Sequence, residues 1–177
     1  MRQPGDISDT ERTARMIRVD HAGEYGAARI YAGQLAVLGR GATGATIRHM
    51  AAQEARHLHV FSDMIADRRV RPTALLPFWH LAGFALGAIT AALGDKAAMA
   101  CTVAVEDAID AHYRAQADEL GVTEPELKNT IEEFRAEELE HRNIGLAHGA
   151  EQTPGYGLLY QAINTGCRVA IKLSERV

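Results

Sequence analysis

Six ionisable residues occupy positions where amphipathic helices would place apolar side chains. Apolar residues recur at intervals of three and four along the chain, which is the pattern of helices that bury one face. The interruptions are Glu24, Glu54, His57, Glu106, Glu138 and His141. A buried carboxylate without a partner is costly or becomes protonated, so four of them in one core require compensating positive charge. A pair of metal ions would supply that charge.

The remaining sequence predicts a chain built from helices. β-branched runs and two-residue hairpin turns are nearly absent. Capping boxes at residues 8–11 and 123–126 predict two helix starts, the second with Pro125 in its first turn. Breaks are expected at residues 39–44, Pro72, Pro77, 94–95 and 154–155. The 177 residues therefore predict one all-α domain, a four-helix bundle with extra helices.

The six core residues form two similar sets. A lone glutamate precedes a Glu-x-x-His motif by 30 residues in the first half (Glu24, then 54–57) and by 32 in the second (Glu106, then 138–141). A single motif is weak, because random placement of the chain's glutamates and histidines gives about 0.6 matches. At the rise of an α-helix, however, each helical hairpin returns its motif to the level of its lone glutamate. The Glu and His of a motif then share one helix face.

This set of residues is the ligand set of di-iron and di-manganese carboxylate bundles. Carboxylate and imidazole donors without a thiolate suit iron or manganese, and redox chemistry with O2 favours iron. The alternative is a bundle whose core acids are paired and whose histidines are hydrogen-bonded. That alternative explains any single residue equally well, but it does not explain six at one level.

Three further polar residues lie near the predicted ligands. Tyr113 follows Glu106 by seven residues on the same helix face, and His112 is its neighbour. We expect either side chain to orient a substrate ring or to pass electrons, and a packed tyrosine with a satisfied hydroxyl is the alternative for Tyr113. Asp20 precedes Glu24 by four residues, and either orients a ligand histidine or lies on the helix surface.

Composition excludes several other classes of protein. A net charge of −4 argues against sequence-independent binding to nucleic acid. Two cysteines, Cys101 and Cys167, are too few for a disulfide scaffold and are expected to be small packed residues in a reducing compartment. No signal peptide is predicted at the N-terminus. The G-x-G-x-x-G match at residues 39–44 lies between helices rather than after a strand, so we interpret it as an interhelical turn.

Residues 72–94 contain no Asp, Glu, Lys or Arg. Their length would span a bilayer, but they include two prolines and lead into the helix that carries Glu106, which disfavours a span. Arginines flank the segment at positions 68, 69 and 71, and the last helix carries Arg168, Lys172 and Arg176. Apolar surface beside cationic side chains predicts a helix that lies on an anionic membrane, and a buried helix or a dimer interface is the alternative.

The sequence resembles the demethoxyubiquinone hydroxylase family. The resemblance covers nearly the whole chain and is carried by RVDHAGEYGA (18–27), RIYAGQ (29–34), RVRPT (69–73), AMACTVAVE (98–106), EELEH (137–141) and GCRVAI (166–171). It implies a single ferritin-like di-iron domain over residues 1–177 with extra membrane-facing and C-terminal helices. All six family ligands match the predicted metal ligands.

The resemblance also implies an activity. The family hydroxylates the ring of demethoxyubiquinone, reacting as the quinol, with O2 and two electrons in the penultimate step of ubiquinone biosynthesis, and NADH is the proposed donor. The implied partners are a polyprenylated quinone and a membrane surface; a homo-oligomer and a lipid-binding accessory protein both stay open. The expected location is the cytoplasmic face of a bacterial inner membrane, or the matrix face in an organelle.

Two other functions use the same residues. One is a ferritin-like protein that oxidises or stores iron, against which the apolar segment 75–93 argues. The other is a membrane-bound scaffold with a relic site, against which the intact ligand set argues. Two ferrous ions would offset the net charge of −4, so removal of the metal is expected to lower the isoelectric point.

Overall fold

Six α-helices and one short 3-10 turn make up the part of the chain that the structure describes. The structure is a computed structural model, and it describes residues 7–177. The helices are α1 (Asp9–Leu38), α2 (Gly44–Asp67), α3 (Leu76–Ala92), α4 (Asp95–Leu120), α5 (Pro125–Ala147) and α6 (Tyr156–Ser174), with the 3-10 turn at Ala150–Gln152. No strand occurs in this range, so the predicted all-α class is confirmed.

The helix ends confirm one of the two predicted capping boxes. The Ser8 hydroxyl accepts a hydrogen bond of 3.0 Å from the Glu11 backbone N–H and so caps α1. The prediction of a capping box at residues 123–126 is wrong, because Glu124 is the residue that precedes the first residue of α5. The Thr123 hydroxyl instead donates to the Leu120 carbonyl at 2.7 Å. Thr123 therefore closes the end of α4 rather than opening α5.

The breaks between helices fall close to the predicted positions. The predicted third segment divides at Gly94, whose φ of 110° is available to glycine and rarely to other residues. Pro77 does not interrupt the chain, because α3 begins at Leu76 and takes the proline into its first turn. The segment 39–44 is an interhelical turn, as interpreted from the sequence.

Four helices form the central bundle, and two lie outside it. Helix α1 packs against α2 and α4 packs against α5, while α3 lies on α1 and α6 lies on α4. The core between them is apolar and includes Ile17, Phe61, Ile131 and Phe134. This arrangement matches the expected four-helix bundle with additional helices.

Helices α1 and α3 approach so closely that glycine is required at their contact. A Cβ atom on Gly87 would lie 1.9 Å from the Ile30 carbonyl oxygen, and one on Gly33 would lie 2.2 Å from the Phe84 carbonyl oxygen. Both distances are far inside van der Waals contact. Gly33 of α1 and Gly87 of the uncharged segment therefore allow α3 to lie directly against the α1 backbone.

The outer faces of α3 and α6 are apolar. Leu81, Leu93 and Leu158 are each at least 70% exposed, and Phe78, Ile89 and Val169 are more than half exposed. Within residues 7–177, no helix combines the length and the hydropathy that crossing a bilayer requires.

Candidate metal centre

The structure brings all six sequence-predicted metal residues together in the middle of the bundle. Helix α1 positions Glu24 and α4 positions Glu106, while α2 and α5 each position one Glu-x-x-His motif. All six side chains are at most 1% exposed. The prediction that each helical hairpin returns its Glu-x-x-His motif to the level of its lone glutamate is thus confirmed.

The six side chains form two overlapping groups. Within each group, one donor atom from every residue lies within 4.8 Å of the others. The first group contains Glu24, Glu54, His57 and Glu138, and the second contains Glu54, Glu106, Glu138 and His141. Glu54 and Glu138 belong to both groups, so their carboxylates lie between the two positions that a cation could take.

The donor atoms at the centre of this cluster fit a pair of cations. Eight buried atoms of these six residues have no hydrogen-bond partner among residues 7–177: both oxygens of Glu54 and Glu138, Oε2 of Glu24 and of Glu106, and Nδ1 of both histidines. They are also close to one another, since His57 Nδ1 lies 3.1 Å from Glu138 Oε1. Buried oxygen and nitrogen atoms without a partner are costly when so many lie close together in a protein core. Two divalent cations bound between them would compensate that cost.

Two tyrosines donate hydrogen bonds to the remaining oxygens of the two lone glutamates, Glu24 and Glu106. Tyr31 donates to Glu106 Oε1 at 2.8 Å, and Tyr113 donates to Glu24 Oε1. Each tyrosine therefore serves the glutamate of the other half. Sequence reasoning placed Tyr113 near the centre but missed Tyr31, although Tyr31 follows Glu24 by the same seven residues that separate Tyr113 from Glu106.

The outer nitrogens of the two histidines also have partners. His57 Nε2 lies 2.9 Å from Glu137 Oε2, and His141 Nε2 lies 3.0 Å from Gln53 Oε1. Sequence reasoning missed Gln53 and Glu137. The available signal was their position, since each directly precedes the glutamate of a Glu-x-x-His motif.

Asp20 was expected either to orient a ligand histidine or to lie on the helix surface, and both expectations were wrong. Asp20 is buried, and its Oδ1 lies 3.1 Å from Nε2 of His112. The imidazole of His112 is partly exposed and lines a small surface pocket with residues of α6. The Asp20–His112 pair thus holds His112 beside Tyr113, the tyrosine that contacts Glu24.

Burial and mutual repulsion perturb the pKa values of the clustered acids. Burial, and then the charge of Glu138, raise the pKa of Glu106 and that of Glu54 well above the usual range. Burial also opposes ionisation of Glu138, but the imidazoles of His141 and His57, whose Nδ1 atoms lie 3.2 and 3.1 Å from its oxygens, outweigh it and lower its pKa to about 2. In the absence of a metal, protons therefore carry part of the compensating charge.

An apolar cavity of about 550 Å³ lies between α1, α3, α4 and α6, and its wall includes residues that adjoin Glu24 and Glu106 in the sequence but none of the six clustered side chains. Gly23 and Gly26 flank Glu24 in its wall, and Val105 directly precedes Glu106. A Cβ on either glycine would meet no atom from another part of the described chain within 4 Å, so the missing side chains add to the open volume. Trp79 of α3 reaches across to α6, where its Nε1 donates to Ser174 Oγ at 3.0 Å.

The fold and the site together define an all-α bundle with a buried double carboxylate–imidazole group beside an apolar cavity. Comparison with known proteins gives the family. The chain belongs to the family described as ubiquinone biosynthesis protein COQ7, whose family model matches residues 11–174. The resemblance seen in the sequence is therefore confirmed.

Curated relatives carry names that agree with this family. A 3-demethoxyubiquinol 3-hydroxylase of Rhodospirillum rubrum is 59% identical over 177 residues, covering 99% of this chain and 84% of the relative. The NADPH-dependent 3-demethoxyubiquinone 3-hydroxylase, mitochondrial, of Homo sapiens is 56% identical, covering 92% and 77%. The 5-demethoxyubiquinone hydroxylase, mitochondrial, of Saccharomyces cerevisiae is 40% identical, covering 92% and 77%.

Proposed function

We propose that this chain is a 3-demethoxyubiquinol 3-hydroxylase, a monooxygenase that acts in the penultimate step of ubiquinone biosynthesis. One oxygen atom of O2 enters a C–H bond of the quinol ring as a hydroxyl group, and two electrons and two protons reduce the other atom to water. The observation that carries the proposal is the buried double group of acids and imidazoles beside an apolar cavity. The names of the relatives supply the substrate.

Two iron ions are the proposed cofactor. Glu24 and His57 would hold one ion, Glu106 and His141 the other, and Glu54 and Glu138 would contact both. When bound, the ions supply the redox chemistry and the O2 activation that ring hydroxylation requires. The protein keeps water out, because every one of these side chains is buried.

The cavity is the proposed site of the ring and of the first part of the isoprenoid tail. Its lining is almost wholly apolar, which suits a polyprenylated quinone and not a charged metabolite. Gly23 and Gly26 leave room along the part of α1 that carries Glu24, so we propose that the ring lies there, near the metal ligands. The cavity also argues against iron storage, which needs no organic binding site.

Tyr113 and His112 are the proposed catalytic residues near the Glu24 side. The Tyr113 hydroxyl holds its proton toward Glu24 Oε1, and Asp20 fixes the imidazole of His112 beside it. Of the two roles expected from the sequence, we propose that this pair passes electrons to the centre, because orienting the ring would require contact with the cavity and neither side chain lines it. The electron donor is proposed to be a reduced nicotinamide dinucleotide, which the family resemblance gives as NADH and the name of the human relative as NADPH.

We propose that residues 1–177 form one domain that binds a membrane peripherally, at the cytoplasmic face of a bacterial inner membrane or the matrix face of an organelle. Exposed apolar side chains on α3 and α6 would enter the lipid, and Arg168, Lys172 and Arg176 would meet anionic headgroups. A homo-oligomer or a lipid-binding accessory protein would cover the same faces, and a vesicle-sedimentation assay distinguishes lipid from protein contacts.

Reconstitution tests the activity. The protein is loaded anaerobically with ferrous iron and given a short-chain demethoxyubiquinone, reductant and O2, and the product is analysed by mass spectrometry. The proposal expects the gain of one oxygen atom. His57→Ala should abolish the reaction, whereas His59→Ala, two residues away and exposed, should not. Oxidation of iron with an unchanged quinone would instead support an iron-storage protein, and absence of bound iron would support a relic site.

A further inference from the structure

The two histidines of the metal centre are linked by a chain of hydrogen bonds on the side away from the cavity. His57 Nε2 lies 2.9 Å from Glu137 Oε2, and His141 Nε2 lies 3.0 Å from Gln53 Oε1. The Gln53 amide then donates to the same Glu137 oxygen at 3.4 Å. All four residues lie on α2 and α5, whereas the cavity is walled by the other four helices.

This chain fixes which nitrogen of each imidazole carries hydrogen. An ionised carboxylate and an amide oxygen only accept hydrogen bonds, so both Nε2 atoms must donate. In the neutral form of each imidazole, which is the form that binds metal, the lone pair then lies on Nδ1, the atom that faces the clustered acids. Glu137 and Gln53 therefore prepare the two imidazoles for metal binding.

The two partners differ in charge. Glu137 forms an ion pair with Arg56, which also contacts Glu133 at 2.9 Å, and this pairing stabilises the ionised form of Glu137. His57 thus rests against an anion, whereas His141 rests against a neutral amide. A carboxylate partner makes a ligating imidazole more basic and a stronger ligand.

We propose that Glu137 and Gln53 are positioning residues that make the two metal positions unequal, with the position beside His57 the tighter. The inference rests on the metal pair proposed above. It goes beyond the ligand set, because it assigns a different affinity to each ion from residues that touch neither. The internal repeat would otherwise make the two positions alike.

Stepwise iron binding by the full chain tests this inference. Ferrous iron is loaded anaerobically and competed with a graded chelator, which yields two dissociation constants. We expect the wild-type constants to differ by about tenfold or more, and Glu137→Gln to weaken the tighter one by about 10- to 100-fold. Glu133→Gln is the matched control, because it removes the other carboxylate on Arg56 without touching a histidine.

A double exchange completes the test. The double variant Gln53→Glu with Glu137→Gln keeps the composition and net charge but moves the carboxylate to His141. The difference between the two iron dissociation constants, which Glu137→Gln alone should reduce, should therefore return. Equal effects of Glu137→Gln and Glu133→Gln, or a double variant that lacks this difference, would overturn the inference. Far-UV circular dichroism verifies folding, and if Glu137→Gln alone is unfolded, the double variant decides. A wild-type protein that fails to bind two irons would refute the proposed metal centre itself.

Discussion

Removal of one shared carboxylate should cost the protein both metal ions, whereas removal of an unshared one should cost only one. Glu54 and Glu138 belong to both donor groups, while Glu24 belongs to the first alone. Glu54→Gln should therefore bind less than one iron under conditions in which Glu24→Gln retains one. Conservative amides keep the shape of the side chain, so the comparison isolates the charge and the donor strength of the carboxylate.

The effect on stability can be worked out from mass action. A ligand at 100 times its dissociation constant stabilises the native state by about 2.7 kcal/mol, so two ions, each at 100 times its own stepwise constant, contribute about 5 kcal/mol. The unfolding entropy of a 177-residue chain is about 0.37 kcal/mol per kelvin. Loading with ferrous iron should thus raise the melting temperature of the wild type by about 15 °C, and of Glu24→Gln by about half as much.

Anaerobic thermal denaturation with and without ferrous iron, followed by circular dichroism, measures these shifts. Glu54→Gln should show almost no shift, and exposed His59→Gln should show the full one. Without metal, Glu54→Gln should be at least as stable as the wild type, because burial and the charge of Glu138 disfavour the ionised carboxylate and raise its pKa, and a neutral amide avoids that cost. A full metal-induced shift in Glu54→Gln would refute the shared position of this carboxylate.

Three further predictions concern packing, the cavity and pH. Gly87→Ala should lower the free energy of unfolding in urea by about 1–3 kcal/mol, because its Cβ would collide with the Ile30 carbonyl, whereas Gly26→Ala should be tolerated; equal effects would contradict the close contact. Trp79 is the only tryptophan and lines the cavity, so a bound quinone should quench its fluorescence, and Gly26→Leu should weaken the quenching; unchanged emission would place the ligand elsewhere. Burial lowers the pKa of His57, but the carboxylates of Glu138 and Glu24, 3.1 and 3.3 Å from Nδ1, outweigh it and raise the pKa to about 11. Metal must displace that proton, so iron affinity should rise with pH and calorimetry in two buffers should detect proton release; a pH-independent affinity would contradict this.

The sequence was sufficient to predict the helices and the six clustered residues for one physical reason. Charged side chains on the apolar stripe of a helix are so costly that they must be compensated, and their spacing of 30 and 32 residues then fixes the hairpins. The partners of the outer nitrogens could not be found in this way. Gln53 and Glu137 are half-buried polar residues next to ligands, and only the packing of α2 against α5 brings each to the histidine of the other helix.

Local signals failed where a tertiary contact or a competing hydrogen bond took over. Residues 123–126 match the pattern of a capping box, but the Thr123 hydroxyl donates to the Leu120 carbonyl at the end of α4 instead of capping the start of α5. The glycines of residues 72–94 do not reveal which helix they contact, because the sequence alone does not show that α1 packs against α3. The expected role of Asp20 failed for the same reason, since His112 lies on a different helix.

The internal repeat explains which parts of the site are duplicated and which are not. An offset of 82 residues relates Glu24 to Glu106 and Tyr31 to Tyr113, and each tyrosine donates to the glutamate of the opposite half. Whatever binds metal is thus present twice. The two halves differ in the residues that surround the ligands. The equivalent of Asp20 in the second half is Thr102, and the two ligand histidines are hydrogen-bonded to different residues, Glu137 and Gln53. The cavity also lies on one side of the pair, between α1, α3, α4 and α6. We therefore expect substitutions that make the outer layer symmetric, such as Glu137→Gln, to lower turnover at saturating iron while two irons stay bound, as product and iron analysis would measure.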